Sequence, residues 1–148
     1  MHTTLLIIHV LAAATWLGAG VAVAIFSSLA SRQPEAIGEG VAVSFDKLGN
    51  FLFMPVGILV LITGVTLVLD SPWKFTNLFV IFGILAVVNG AVFGARVTGP
   101  MTKSMRQAHE ASDTTKLQAL YSRFGTLVLV DVAVVAVALI SMVLKLGT

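Results

Sequence analysis

The sequence contains no cysteine, and that absence removes several classes of function. Disulfides, thiolate zinc sites, iron–sulfur clusters and thiolate-ligated haem all require cysteine. Charge is also scarce, because charged residues make up 11% of the 148 residues while hydrophobic residues make up 57%. A soluble domain carries about 25% charged residues. Together with a mean hydropathy of +1.01, this composition predicts an integral membrane protein whose first partner is the lipid bilayer.

Motifs for soluble catalysis and for nucleic-acid binding are also missing. The nine Lys and Arg residues are spread along the chain and form no basic stripe, so we predict no nucleic-acid partner. The sequence has no His-Glu-x-x-His motif, no phosphate-binding Gly-rich loop and no nucleophile elbow. Classical hydrolase and nucleotide-driven chemistry are therefore unsupported, and whether the chain is an enzyme stays open at this point.

Four stretches are long and apolar enough to form helices that cross about 30 Å of hydrocarbon, which takes about 20 residues. The predicted fold is all-α, an antiparallel four-helix membrane bundle in one domain over residues 1–148. The first helix lacks the basic start of a signal peptide, so we expect it to be retained. The predicted helices cover residues 4–27, 48–69, 76–97 and 124–145, with loops at 28–47 and 98–123.

The two longer loops contain most of the basic residues, and parts of both loops are predicted to be helical. Apolar residues at helical spacing predict amphipathic extensions within 98–123 and a short surface helix within 28–47. Only Lys74 and Lys145 lie on the side of the membrane that holds the termini, whereas seven basic residues lie on the side of the two longer loops. By the positive-inside rule, both termini are therefore outside and both loops are cytoplasmic. The seven basic residues on the loop side are Arg32, Lys47, Arg96, Lys103, Arg106, Lys116 and Arg123.

Matches at one offset suggest that the chain consists of two duplicated hairpins. Residues 45–49 resemble residues found 76 positions later, and at the same offset Ala14 and Gly18 align with Gly90 and Gly94. Coincidence among Gly-rich apolar segments is the alternative interpretation. Small residues four positions apart let helix backbones approach, so we predict that both pairs lie at helix contacts.

His9 is the residue most suggestive of function. A histidine inside an apolar helix loses solvation unless a metal, a cofactor or a hydrogen-bond partner compensates it. A ligand role and a hydrated position near the membrane interface both remain open. Among ligands, b-type haem is favoured because imidazole commonly binds haem iron. The second imidazole N–H would then need a partner, such as a carbonyl, Thr63 or Thr66.

Other residues could complete a site around His9. Trp16 lies about two turns deeper on the same helix face, where it could wall a planar cofactor or simply fill a helix contact. A second axial ligand could come from His2, from Met142 or from the partner subunit's His9. The third histidine, His109, follows no metal-site spacing and is predicted to lie on the surface.

Asp131 is the one charged residue within the four apolar stretches, which cover residues 3–31, 48–69, 75–95 and 124–144. A carboxylate inside a membrane helix is costly without a partner, and Arg96 and Asn89 on the preceding helix are the candidates. A polar contact that fixes the helices and a role in proton relay are the two interpretations.

The residues from His9 to Gly18, which read His-Val-Leu-Ala-Ala-Ala-Thr-Trp-Leu-Gly, resemble the first helix of a family of small bacterial four-helix proteins described only as predicted integral membrane proteins. That family resembles the copper-resistance D membrane proteins. The likeness implies a multi-pass protein of the bacterial cytoplasmic membrane. It continues through Phe45-Asp46-Lys47, Pro55, Leu61-Ile62-Thr63-Gly64, Gly99-Pro100 and Met142-Val143-Leu144-Lys145.

The first helix is also similar to that of the haem-containing membrane protoporphyrinogen oxidase, in the spacing of His9, Ala12 and Trp16. This second resemblance implies haem ligation by His9, for electron transfer or porphyrin-related redox chemistry. Two other classes remain: a copper-handling protein using Met1, His2, His9 and Met142, and a non-catalytic accessory subunit in a homodimer or a larger membrane complex.

Overall fold

The structure is a computed structural model that describes residues 2–147, except for the side chains of residues 35–39. All regular elements in this part of the chain are helical. They are α1 His2–Arg32, α2 Pro34–Leu48, α3 Met54–Leu69, α4 Leu78–Phe93, α5 Gly99–Glu110 and α6 Thr114–Val143.

These six helices form four long rods. The π-helical segment Gly49–Phe53 joins α2 to α3 without a break, and the π-helical segment Gly94–Thr98 joins α4 to α5 in the same way. Four helices among the described residues are long and apolar enough to cross a membrane. The predicted all-α four-helix membrane bundle is therefore confirmed.

Each π-helical segment is followed two residues later by a proline, and the proline accounts for the wider helical turn. Pro55 and Pro100 lack an N–H and would clash with the carbonyl four residues earlier in a regular α-helix. The wider turn avoids that clash: the Met54 N–H bonds to the Gly49 carbonyl and the Gly99 N–H to the Gly94 carbonyl, both five residues back. The helices can therefore continue through both prolines.

Helix extends through most of the residues predicted as loops. α1 continues to Arg32 and α2 begins at Pro34, while only residues 111–113 separate α5 from α6. These extensions are helical because they bury an apolar stripe in a shared core. The largest fully buried side chains of that core are Tyr121, Phe124, Met105 and Leu117, and Phe45 packs on Phe124 with ring centroids 5.4 Å apart.

The rods form a ring in which α1 packs between α3 and α6, and α4 closes the ring against the same two helices. We call the end with both chain termini the terminal side and the end with α2 and α5 the connector side. Along the rods, large apolar side chains such as Phe51, Ile62 and Val130 point outward and are exposed. Such a surface suits lipid, because the helices satisfy their own backbone hydrogen bonds.

The small-residue contacts differ from the predicted ones at three of four positions. Ala14 and Gly18 are exposed, and a Cβ added at Gly18 or Gly94 would meet nothing within 4 Å. Instead Gly20 faces α6, where an added Cβ would lie 2.7 Å from Cγ2 of Val132. Gly90 does lie at a helix contact, against Trp16. Spacing by four identified a stripe of small residues but not the face that turns inward.

The π-helical segments do not follow the 76-residue offset. The offset aligns the first rod with the third and the second rod with the fourth. The π-helical segments interrupt the second and third rods, whereas α6, which forms the fourth rod, is continuous. The duplication of hairpins stays a prediction.

Membrane orientation can be measured directly because the chain has no native cysteine. We expect a Lys74→Cys variant to react with a membrane-impermeant maleimide in intact cells. Its matched counterpart Lys103→Cys, on α5, should react only after permeabilisation, because the connector side holds the excess of basic residues. Labelling in the reverse pattern would place the termini inside.

Candidate functional site

A first cavity of about 270 Å³ lies on the terminal side of the bundle, between α1, α3, α4 and the end of α6. Its walls are mainly aliphatic and aromatic, with Leu6, Val60 and Phe79 among them. The three residues predicted as metal ligands, His2, His9 and Met142, all line this cavity. Residues far apart in the sequence are thus brought together where the apolar helices leave a gap.

His9 is buried, with 8% of its surface exposed, and its ring is held by α3. Its Nδ1 lies 2.9 Å from Oγ1 of Thr63. The single hydroxyl proton of Thr63 is donated to the carbonyl of Leu59 at 2.6 Å. Thr63 therefore accepts from His9, and the neutral ring carries its proton on Nδ1. Thr63 is one of the two threonines that the sequence analysis named, and the other, Thr66, bonds to Ile62 instead.

His9 also lines the first cavity. The ring also makes a hydrogen bond with the backbone of Val60 on α3. With the proton on Nδ1, Nε2 presents a lone pair. His9 thus offers the cavity one oriented electron-pair donor in an apolar wall.

Gly64 makes room for the imidazole. A Cβ at this position would lie 3.1 Å from Cε1 of His9, closer than most side-chain contacts allow. The hydrogen-bond partner and the space for the ring are therefore adjacent in sequence, at Thr63 and Gly64. The sequence analysis missed Gly64, although the Thr-Gly pair inside an apolar helix was the signal that could have shown it.

Met142 fills the side of the first cavity next to α4. Its Cε would lie 2.5 Å from a Cβ added at Gly83, so the glycine admits the thioether end of this side chain. Of the residues considered for copper, Met1 lies outside the described part of the chain.

Polar and aromatic groups close the rim of the first cavity. His2 Nδ1 lies 3.4 Å from Oδ2 of Asp70. Nζ of Lys145 lies 5.1 Å from the ring centroid of Trp73, which meets Phe79 edge to face. The turn before α4 also binds the chain end, since Nδ2 of Asn77 donates to the Gly147 carbonyl at 2.9 Å. The rim therefore places the ammonium group of Lys145 next to the apolar interior of the first cavity.

Trp16 does not line the first cavity, which corrects its predicted role beside His9. Only 7% of its surface is exposed, and its indole packs against Gly57 and Gly90. The same indole lines a second cavity of about 410 Å³, nearer the connector side. Leu61 and Val87 line both cavities, so the two cavities are adjacent, whereas Trp16 lines the second cavity alone. The spacing of seven residues between His9 and Trp16 correctly predicted that both lie on the inward face of α1. It did not show that Trp16 lies too far along the helix to line the first cavity.

Asp131 lies in the wall of the second cavity and is held by Asn89. Nδ2 of Asn89 donates to Oδ1 of Asp131 at 2.6 Å, linking α4 to α6. Arg96 was the other predicted partner, but it is exposed and forms no ion pair with Asp131. His109 is half-buried on α5 and lines neither cavity.

We expect Asp131 and Asn89 to be energetically coupled and Asp131 and Arg96 to be uncoupled. In a double-mutant cycle with alanine, the first pair should show a coupling of at least about 0.6 kcal/mol, the average for polar contacts between membrane helices, whose maximum is about 1.7 kcal/mol. The pair with Arg96 is the control and should give a value near zero. Equal couplings for both pairs, measured by denaturation in mixed micelles, would contradict the observed pairing.

Within the described residues, no group of three or more His, Cys, Asp or Glu side chains could hold a metal ion. A metal in the first cavity would depend on imidazole and thioether ligands together, or on a metal that brings its own equatorial ligands. Haem iron is the second kind, because the porphyrin supplies four nitrogens and the protein supplies axial ligands.

Comparison with known proteins identifies a family and no more. No curated protein and no solved structure matches the chain. The sequence profile of one family, described as predicted integral membrane protein (DUF2269), matches residues 3–147. The match covers all four rods and the residues that line both cavities, except His2 at the start of α1. The chain therefore belongs to the DUF2269 family of predicted integral membrane proteins.

Proposed function

We propose that this multi-pass membrane protein binds b-type haem in the first cavity, with Nε2 of His9 as an axial ligand. One observation carries the proposal: the Thr63 hydroxyl accepts from Nδ1 of a histidine that lines an apolar cavity, which leaves the lone pair of the ring on Nε2. A metal-binding histidine is usually oriented in this way, by a hydrogen bond from its other nitrogen. The resemblance of the first helix to the haem-containing oxidase supports the same ligand.

The donors around the first cavity suit haem in three respects. The walls are apolar, as the macrocycle requires, and Met142 offers a thioether of the kind that serves as a second axial ligand. Lys145 at the rim provides a cation for the propionates. The volume of about 270 Å³ lies just below the range of about 300 to 1,000 Å³ usual for ligand pockets, so the lining side chains must move apart when a macrocycle enters.

Bound haem would supply one-electron redox chemistry, in electron transfer or in the oxidation of a porphyrin. The chain's own residues hold and tune that group. Thr63 orients the His9 ring, Gly64 leaves it room, and the apolar walls exclude water from the metal. The cytoplasmic membrane of a bacterium, with the termini outside, is the location we propose.

Visible spectroscopy tests the proposal. Protein expressed with a haem precursor supplied and purified in mild detergent should show a Soret band and a b-type reduced-minus-oxidised spectrum. The haem content should approach one per chain, or one per two chains if the partner subunit's His9 provides the second ligand. Colourless protein that also fails to take up added haem would defeat the proposal and favour the accessory subunit of a larger complex.

A copper-handling role is the second candidate, because His2, His9 and Met142 line one cavity. Imidazole and thioether ligands suit Cu(I), and the family that the sequence resembles is itself similar to the copper-resistance D proteins. The two candidates differ in their dependence on His2. Its replacement by alanine should weaken Cu(I) binding in a competition titration but leave the haem bands of the same variant unchanged.

A further inference from the structure

The second cavity has an unusual lining that the haem proposal does not use. It lies behind the gap between α3 and α4, with α1 and α6 as its rear wall, and measures about 410 Å³. Five aromatic side chains and one carboxyl group line it, and none of its lining residues is Lys, Arg or His. The aromatic residues are Trp16, Phe45, Phe53, Phe93 and Phe124.

The cavity opens sideways, toward the hydrocarbon of the membrane. Among its lining residues, Met54 and Ile58 on the second rod and Ala91 and Ala95 on the third are exposed. These residues border the gap between α3 and α4 along the lipid-facing surface. A molecule dissolved in the bilayer can therefore reach the cavity without passing through water.

Asp131 is the polar group that gives this cavity a chemical preference. Its Oδ1 accepts from the neutral amide of Asn89, and no cationic side chain among the described residues forms an ion pair with it. A carboxyl group surrounded by apolar side chains stays protonated when it is alone, and a positive charge next to it stabilises the carboxylate. Asp131 lines the second cavity, so its carboxyl group can meet a cation that enters there.

The aromatic side chains favour the same kind of group. The faces of Trp and Phe rings attract cations, and that attraction strengthens where water is excluded. Five rings around one carboxyl group thus provide dispersion contacts for an apolar body and electrostatic contacts for a positive centre.

We propose that the second cavity binds a lipophilic organic cation, with one positive charge and an aromatic or aliphatic body, taken up from the bilayer between α3 and α4. Asp131 is the counter-ion, Asn89 fixes its carboxyl group, and Trp16 forms the end wall toward the first cavity. This site is independent of haem binding.

Trp16 provides the signal for the test. The chain has two tryptophans, so a Trp73→Phe background leaves Trp16 as the sole indole. The protein is placed in phosphatidylcholine nanodiscs and titrated with trimethyl(4-phenylbutyl)ammonium. Its neutral isostere, with a quaternary carbon in place of nitrogen, is titrated in parallel, together with empty nanodiscs. We expect a saturable change in Trp16 fluorescence with the cation, and at least tenfold weaker binding of the isostere.

Three variants test whether the carboxyl group of Asp131 is the charge that binds the cation. Asp131→Asn keeps a hydrogen-bonding side chain of the same size beside Asn89 and should bind the cation at least tenfold more weakly. Asp70→Asn removes the same charge outside the second cavity and should bind as the background does. Ala91→Leu keeps Asp131 but narrows the opening, and it should also weaken binding.

Three results would overturn the proposal: equal binding of cation and isostere, undiminished binding by Asp131→Asn, or no saturable response at all. If Asp131→Asn fails to fold, the comparison of cation with isostere on the background protein decides alone.

Discussion

Replacement of Gly90 by leucine is expected to destabilise the bundle more than the same change at any other small residue predicted to lie at a helix contact. A Cβ at Gly90 would overlap the Trp16 indole, which is buried against Gly57 and could yield only by moving from that contact toward the second cavity. Inserting extra carbon atoms into a packed core costs about 1 to 3 kcal/mol. Leucine adds four, so we expect the upper part of that range or a failure to fold.

The matched controls are Gly18→Leu and Gly94→Leu. Both positions are open, with nothing within 4 Å of an added Cβ, and should tolerate the change with little effect. Unfolding in mixed detergent, followed by circular dichroism, compares the three variants. Equal destabilisation at Gly18 and Gly90 would mean that the face containing Ala14 and Gly18 is also packed, as in a dimer, and not open to lipid.

The second large effect is expected at His9. Replacement by alanine should remove nearly all haem from the purified protein, because His9 is the buried one of the two histidines that line the first cavity. Thr63→Val should retain the ligand but lose its orientation, with about 10- to 100-fold weaker haem affinity, as for other outer-shell partners of metal ligands.

The control for His9→Ala is His109→Ala, a histidine on α5 that lines neither cavity. It should keep the full haem content and unchanged bands. Haem per chain, measured as the pyridine haemochrome, makes the comparison quantitative. A loss of haem in both variants would point to general instability and not to ligation.

The four-helix architecture could be predicted from the sequence because the hydrocarbon core imposes length and apolarity on each span, and both can be counted. The partners of the two intramembrane polar residues were predictable for a related reason. A buried imidazole or carboxyl group needs a hydrogen bond, and few polar side chains lie at the right depth. Thr63 for His9 and Asn89 for Asp131 were therefore among very few choices.

Features that depend on helix rotation and local geometry were not predictable. The stripe of Ala14 and Gly18 faces outward, because the face of α1 that packs inside the bundle is the one that carries His9, Trp16 and Gly20. Nothing in their spacing distinguishes two apolar faces of one helix. Likewise Pro55 lies inside the predicted helix 48–69 and Pro100 in the predicted loop 98–123, and the π-helical turns that carry the helices through both prolines appear only in the structure.

The most direct test of the central proposal is chemical rescue of a His9→Gly variant. Glycine leaves a space in the wall of the first cavity where the imidazole stood, and free imidazole is small enough to fill it. The account predicts that the variant purified without imidazole lacks the b-type bands, and that added imidazole with haem restores them at the wild-type wavelengths. A His9→Gly variant that keeps wild-type bands in the absence of imidazole would contradict axial ligation by His9.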